Sequence, residues 1–154
     1  MCDINPNNID VFTTEAVTII NYSGIPAGNS FIPNVFSYVA SEGVCIDMIS
    51  LTPPKSELVS FAFTVGDEDF PKLLGMAAAL GGFTPLISSG NAKITITSQD
   101  MISSAGFAAT VFSALSSQGL SSLMITTSED DMSVLVAGTD EDRAVEAISR
   151  AFDK

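Results

Sequence analysis

Hydrophobic residues along the chain follow two spacings, one typical of strands and one typical of helices. From Val59 to Val65 they alternate, so that positions 59, 61, 63 and 65 share a face, which predicts a half-buried strand. Between Phe31 and Glu42 they recur every three or four residues, and Gly43 follows. This spacing predicts a helix that ends at a glycine.

The same patterns predict the remaining elements. The predicted strands cover residues 9–12, 16–21, 44–51, 59–65, 84–88, 92–97, 120–128 and 132–137, and the predicted helices cover residues 31–42, 68–80, 107–118 and 140–152. Residues 22–30 contain glycine and proline and are predicted to form a loop. Asp67, Glu68 and Asp69 are predicted to complement the dipole of the second helix, and Thr139 and Asp142 to form a capping box.

A long stretch of the chain occurs twice. Residues 34–50 return 76 positions later as residues 110–126, with seven of the 17 positions identical. Such a repeat indicates one supersecondary unit used twice. The first copy reads βαββαβ, which is the ferredoxin-like pattern. We therefore predict an α+β fold of two modules with antiparallel sheets, the first over residues 16–89 and the second over residues 90–154.

The second module lacks the final strand that the first one has. Its sheet would leave an unpaired backbone edge, which proteins normally cover. The segment Asn8 to Thr13 is not needed by the first module. We therefore expect this N-terminal strand to complete the second module, which then consists of residues 8–14 and 90–154.

Composition excludes several classes of function. The net charge of -12 would repel nucleic acids and anionic membrane surfaces. No apolar run reaches the roughly 18 residues of a spanning helix, and the first residues are not like a signal peptide, so we expect a cytoplasmic protein. The chain has no histidine, which removes Ser/His and Cys/His nucleophile pairs and histidine metal sites.

The cysteines and acidic clusters point to structural roles. Cys2 and Cys45 do not indicate a disulfide framework, and Cys45 is expected to be a small buried hydrophobic residue. Met48 and Met124 are expected in the core. The acidic residues 129–131 lack the spacing of a calcium loop, and we interpret them as solvated surface. No metal and no cofactor are expected.

Three motifs carry a resemblance to a known family. Residues 124–129, MITTSE, resemble the run M-I-S-T-S-E, and residues 44–49, VCIDMI, resemble I-N-V-D-M-I. Residues 101–106, MISSAG, are close to M-R-S-H-P-G. On these runs the chain resembles the tandem ACT regulatory region of bacterial aspartokinases, over nearly everything from Ile9 onward. The family also completes its second module with the preceding strand.

The resemblance implies a binding protein. Such ACT pairs form homodimers and hold lysine or threonine between the β1-α1 loop of one module and the β2 strand of its neighbour. Unpaired N–H groups at a helix start suit the effector's carboxylate. The residues implied in effector binding are Ile25, Ala27, Gly28, Ser30, Cys45, Ile46, Asp47, Met101, Ser103, Ser104, Gly106, Phe107, Ser121 and Ser122.

Some positions depart from the family pattern. Ala27 lies where the first-module loop, V-P-D-K-P-G, has the aspartate that faces the effector. Leu51 and Ser121 replace a glutamine and an asparagine of the family. The second loop is better preserved than the first, because a serine and Gly106 are kept.

Together these observations favour a non-catalytic regulatory protein that senses a small amino acid. The two modules account for the whole length, so we expect no amino-kinase domain and no enzyme activity in this chain. Two alternatives stay open: a dimerisation or adaptor module without a ligand, and a regulatory subunit that associates with a separate aspartokinase catalytic chain.

Overall fold

The computed structural model describes residues 8–53, 56–99 and 101–153. Cys2 lies outside these ranges. The chain divides into two compact units. We call residues 16–90 the first unit, and residues 8–15 together with 91–153 the second unit.

Six strands and four α-helices are found in the described residues. They are β1 (Ile9–Pro26), α1 (Phe31–Ser41), β2 (Ile49–Leu51), β3 (Leu58–Gly66), α2 (Met76–Leu80), β4 (Leu86–Ser98), α3 (Phe107–Ser117), β5 (Met124–Thr127), β6 (Asp131–Ala137) and α4 (Glu141–Phe152). Short 3-10 helices cover Phe70–Leu73 and Gly138–Asp140. In the part of the chain that the structure describes, no helix is long and apolar enough to cross a bilayer.

The sheet of the first unit has the strand order β2-β3-β1-β4. Strand β3 pairs antiparallel with both β1 and β2. The register places Ile20 opposite Phe63 and Tyr22 opposite Phe61, so these side chains share one face. Helices α1 and α2 cover that face and bury it. The four alternating apolar positions predicted for β3 are all buried, as expected.

An aromatic cluster fills the centre of the first core. The ring of Phe61 stacks on Tyr22 with centroids 5.2 Å apart, and it lies 5.9 Å from Phe36 and 6.4 Å from Phe63. Because this packing removes water from the phenol group, burial raises the pKa of Tyr22 above its ordinary value.

The second unit repeats the arrangement with the order β1-β4-β6-β5. Ile94 lies opposite Val134, and both are fully buried beneath α3 and α4. Ile9 and Val11 of the N-terminal segment pack against this core. The predicted fold class is therefore confirmed: two ferredoxin-like modules with antiparallel sheets, the second completed by the N-terminal strand.

The first strand is longer than predicted. Residues 9–12 and 16–21 were expected to be two strands, but β1 is continuous and extends into the predicted loop as far as Pro26. Ala16 adopts a left-handed conformation with φ of 56° without ending the strand. Between Tyr22 and Ile25 the pairing register shifts, which accommodates the loop-like residues as a bulge.

Strand β4 likewise joins two predicted strands, residues 84–88 and 92–97. Gly90 lies between them with φ of 71°, a conformation that glycine adopts readily. In the structure, Gly90 is a left-handed residue within one continuous strand.

Strands β2 and β5 are shorter than predicted, at Ile49–Leu51 and Met124–Thr127. The first residue of each predicted segment completes the preceding helix instead. The amide of Val44 donates to the carbonyl of Val39, and that of Leu120 to Leu115, each with the spacing of a helix end. The apolar residues of these segments fit both a strand and the end of a helix, so their pattern did not show which of the two forms.

Cys45 lies in this segment and is exposed, so the expectation of a buried cysteine is wrong. The buried positions of the segment are Val44 and Met48, four residues apart. Cys45 lies before the first residue that bonds to β3, Asp47, so the alternation that would bury Cys45 does not form. Met48 and Met124 are buried as predicted.

The helix predicted over residues 68–80 is broken into the 3-10 helix Phe70–Leu73 and the short α2. The acidic residues before it do not lie in the first turn of an α-helix, so the dipole argument for them is wrong. Asp69 instead pairs with Lys72 at 2.5 Å, and this hydrogen bond, with the charge of Asp69, raises the pKa of Lys72. The capping box is also wrong, since α4 begins without a side-chain cap.

Asp67 has a structural role that the sequence did not reveal. Its carboxylate accepts hydrogen bonds from the hydroxyl of Thr18, at 2.6 Å, and from the amide of Gly90, at 3.0 Å. Its own amide donates to the carbonyl of Ala16 at 2.8 Å. Asp67 therefore links β3 to β1 and β4 at the two left-handed residues.

We expect Asp67→Ala to lower the free energy of unfolding by about 1–3 kcal/mol, because it leaves polar groups of the first unit without their charged acceptor. Urea denaturation followed by circular dichroism measures the change. Asp69→Ala is the matched control, and a smaller effect is expected since its ion pair lies at the surface. Equal effects of the two variants would contradict a structural role specific to Asp67.

Candidate functional site

The loop between β4 and α3, together with the first residue of α3, carries five of the residues implied in effector binding. Met101 is half-buried and packs against the second core, whereas Ser103 and Gly106 are exposed. Phe107 is buried and lies 5.1 Å from the ring of Phe152, which anchors the start of α3 to the end of α4. The loop is therefore held at both ends by the core of one unit.

Ser104 is the most unusual residue of this loop. It is only 7% exposed, and its hydroxyl has no hydrogen-bond partner among the described residues. A buried hydroxyl without a partner costs free energy, so such groups are rare in native structures. The backbone of Ser104 is used, since its carbonyl accepts from the amide of Phe107 at 3.2 Å.

The first turn of α3 offers further donors beside Ser104. The amide of Phe107 is bonded, and that of Thr110 donates to the carbonyl of Gly106 at 2.9 Å. For the amides of Ala108 and Ala109, no acceptor is found within residues 8–53, 56–99 and 101–153. Two adjacent N–H groups at a helix start, near the positive end of its dipole, suit a carboxylate.

Space is available around this helix start. A side-chain carbon placed on Gly106 would meet no atom within 4 Å. Gly106 also borders an open groove of about 760 Å³ along α3 and α4, which contains Arg143 and Arg150. The arginines pair within α4 or its N-terminal turn, with Asp140 and Glu146 respectively.

The corresponding loop of the first unit differs. Ile25 is fully buried, whereas Ala27, Gly28 and Ser30 are exposed. The side-chain oxygen of Asn29 accepts the amide of Phe31 at 2.5 Å and so occupies the start of α1. Sequence reasoning did not select Asn29, although asparagine just before a helix is a known capping signal.

The remaining implied residues follow the helices α1 and α3. Cys45 and Asp47 are exposed, and Ile46 packs at the border of the first core. In the second unit, Ser121 and Ser122 line a pocket of about 490 Å³ beside α3. Among the described residues, no three acidic or cysteine side chains are grouped so that they could hold a metal ion.

Comparisons with known proteins match this architecture. Residues 94–152 match the model of the ACT domain family. Aspartokinase of Geobacillus stearothermophilus is 33% identical over 138 residues, which cover 90% of this chain. The ligand-free regulatory subunit of aspartate kinase from Thermus thermophilus is 28% identical, with a TM-score of 0.80 over 92% of this chain and 96% of that one.

The chain resembles the regulatory region of aspartokinase, and residues 94–152 match the ACT domain family. The regulatory subunit of aspartate kinase from Thermus flavus is 27% identical, with a TM-score of 0.80 over 94% of this chain and 99% of that one. The chain spans about a third of the length of the curated aspartokinases that it matches.

The loop before α3 lies in the part of the chain that matches the ACT domain family. The ACT match covers α3 and its loop but not the first unit. The unpartnered Ser104 hydroxyl and the free amides of Ala108 and Ala109 belong to this matched part.

Proposed function

We propose that this chain is a non-catalytic regulatory protein that binds a small amino acid, such as threonine or lysine, at the loop before α3. The observation that carries the proposal is the hydroxyl of Ser104, which is buried and has no partner. A ligand that accepts or donates one hydrogen bond there would remove the cost of this group. The implied effector residues Met101, Ser103, Gly106 and Phe107 are its neighbours in the chain.

The start of α3 has groups that can bind an amino-acid carboxylate. The amides of Ala108 and Ala109 can each donate to one carboxylate oxygen, and the dipole of the eleven-residue α3 favours a negative charge there. Residues 101–107 include no charged side chain, so a neutral polar side chain such as that of threonine matches the loop better than lysine does.

We further propose a homodimer that regulates an aspartokinase catalytic chain. Strand β2 lies at an edge of its sheet, and there Ile49 is 52% and Leu51 is 58% exposed. An exposed edge with apolar side chains favours pairing with another chain. Binding of the amino acid would then stabilise one assembly state more than another. The equilibrium between the two states would shift as a result.

A thermal-shift screen with the twenty amino acids tests the binding. A ligand at about 100 times its dissociation constant adds about 2.7 kcal/mol of stability, which for a chain of this size raises the melting temperature by about 5–10 °C. We expect a neutral polar amino acid to give the largest shift. If none of the twenty raises the melting temperature, amino-acid binding is contradicted and the adaptor alternative is favoured.

Ser104→Ala should separate binding from stability. Without ligand, the variant is expected to be as stable as the wild type or slightly more stable, because it removes a buried polar group that lacks a partner. With the amino acid, its shift in melting temperature should be smaller. Ser37→Ala, at an exposed position of α1, is the matched control and should keep the full shift. An unchanged shift in Ser104→Ala would contradict the proposed contact.

A further inference from the structure

Two connections of the chain join the units, and each carries a left-handed residue. The chain passes from one unit to the other between residues 15 and 16 of β1 and between residues 90 and 91 of β4. We call these two places the crossings. At the first crossing Ala16 has φ of 56°, and at the second Gly90 has φ of 71°. Both strands continue through their crossing, so neither connection is a loop.

The left-handed conformation is strained for Ala16. The side-chain carbon of alanine comes close to the following carbonyl oxygen when the backbone is left-handed, whereas glycine has no such carbon. Strain of this kind persists where surrounding contacts hold the backbone in place. Asp67 makes such a contact, because its amide donates to the carbonyl of Ala16 at 2.8 Å.

The carboxylate of the same residue holds the other crossing. Its two oxygens lie 3.0 and 3.3 Å from the amide nitrogen of Gly90, which donates to them. Asp67 is thus bonded through its backbone to one crossing and through its side chain to the other.

Thr18 extends this network between the two strands. It is fully buried, and its hydroxyl donates to the carboxylate of Asp67 at 2.6 Å. The hydroxyl of Ser89 lies 2.7 Å from that of Thr18. Because the single proton of the Thr18 hydroxyl goes to Asp67, the Ser89 hydroxyl is the donor in this second contact. Residues next to both crossings therefore bond to one carboxylate, directly or through Thr18, and all of them belong to the first unit.

We propose that Asp67 is a latch that makes the two crossings open and close together. Opening of one crossing breaks a hydrogen bond of Asp67, and the backbone and side chain of one residue cannot move independently. The hold on the other crossing is weakened as a result. The latched and released forms are two states of the chain, and a molecule that binds one of them better shifts the equilibrium between them. This device is independent of amino-acid binding.

Two amides report on the crossings separately. The amide of Asp67 exchanges its hydrogen with solvent when its bond to Ala16 opens, and the amide of Gly90 does so when its bond to Asp67 opens. Hydrogen exchange of the full chain, followed by NMR, measures both. If the crossings open together, the protection factors of the two amides should agree within about threefold.

Gly90→Ala alters one crossing and should affect both. A side-chain carbon on Gly90 meets no atom within 4 Å, so the substitution adds left-handed strain without a clash. It should lower the protection factors at positions 67 and 90 by about fivefold to thirtyfold, which is the cost of a left-handed alanine. A change at position 90 alone would overturn the latch.

Gly43→Ala is the matched control. Gly43 is also left-handed, with φ of 68°, and also has room for a side-chain carbon, but it follows α1. This variant should keep both protection factors within about twofold of the wild type. If it lowers them as far as Gly90→Ala does, unfolding of the whole first unit explains the exchange and the latch is overturned.

Asp67→Ala tests the latch residue itself. In this background, Gly90→Ala should no longer change the protection of the amide at position 67, because the link between the crossings is gone. A persisting effect would show that strand pairing alone couples them, and would overturn the role of Asp67. Melting curves followed by circular dichroism verify that each variant is folded. The comparison of the wild type with Gly90→Ala decides the coupling even if Asp67→Ala does not fold.

Discussion

Replacing Phe61 with alanine is expected to lower the free energy of unfolding by about 3–5 kcal/mol. Phe61 is 2% exposed and lies at the centre of the aromatic cluster of the first unit. Its removal takes away stacking with Tyr22 and contacts with Phe36 and Phe63, and it leaves a cavity that the surrounding rings can fill only in part. Because domains of this size are stabilised by about 5–15 kcal/mol, the loss is a large share.

Urea denaturation followed by circular dichroism measures the effect. Phe12→Ala is the matched control, because it deletes the same ring from a position that is 56% exposed. Its effect should stay within about 0.5 kcal/mol. If Phe61→Ala and Phe12→Ala have the same denaturation midpoint, the aromatic cluster does not stabilise the first unit as we infer.

The second large effect is expected from the N-terminal segment. Replacing Ile9 and Val11 together with aspartate should destabilise the second unit by about 2–4 kcal/mol, because two apolar side chains that pack on its core become charged. Strand β4 would lose the neighbour that covers its edge. We therefore expect faster hydrogen exchange of the β4 amides in residues 91–98.

The alternation of the strand supplies the control. Phe12 and Thr14 point away from the core and are exposed, so Phe12→Asp with Thr14→Asp adds two like charges at the neighbouring positions of the same strand. This control should keep slow exchange in β4. If both double variants speed exchange equally, charge rather than loss of core packing explains the result.

The helices α1 and α3 were predictable from the sequence to within one residue at each end. Apolar residues at three- and four-residue spacing mark their buried faces, and Gly43 and Gly119 mark their ends. The repeat predicted the topology, because two segments with the same order of elements are expected to fold in the same way. The N-terminal strand followed from counting the strands that each module needs.

Other features depend on contacts that local patterns do not show. Ala16 takes a left-handed conformation that alanine rarely adopts, so the continuity of β1 could not be foreseen. Pairing with β3 and the hydrogen bond from Asp67 hold this part of the strand in place. Pro71, by contrast, was a visible signal that the helix over residues 68–80 would be interrupted.

The candidate site was predictable only in part. The motif at residues 101–106 selected Ser104, but its burial depends on how the loop packs on the second core. The contact of Asn29 with the start of α1 could have been found in the sequence, because this asparagine just before the helix has no counterpart before α3.

The membership of residues 8–15 in the second unit has a consequence for synthesis. These residues leave the ribosome before the strand that they pair with, which begins at residue 91 within that unit. At a translation rate of roughly 5–20 residues per second, they wait about 4–15 s for their neighbour. Ile9, Val11 and Phe12 are without their final surroundings in this interval, while residues 16–90 can already fold. The nascent chain thus offers a short apolar segment to chaperones before its second half exists.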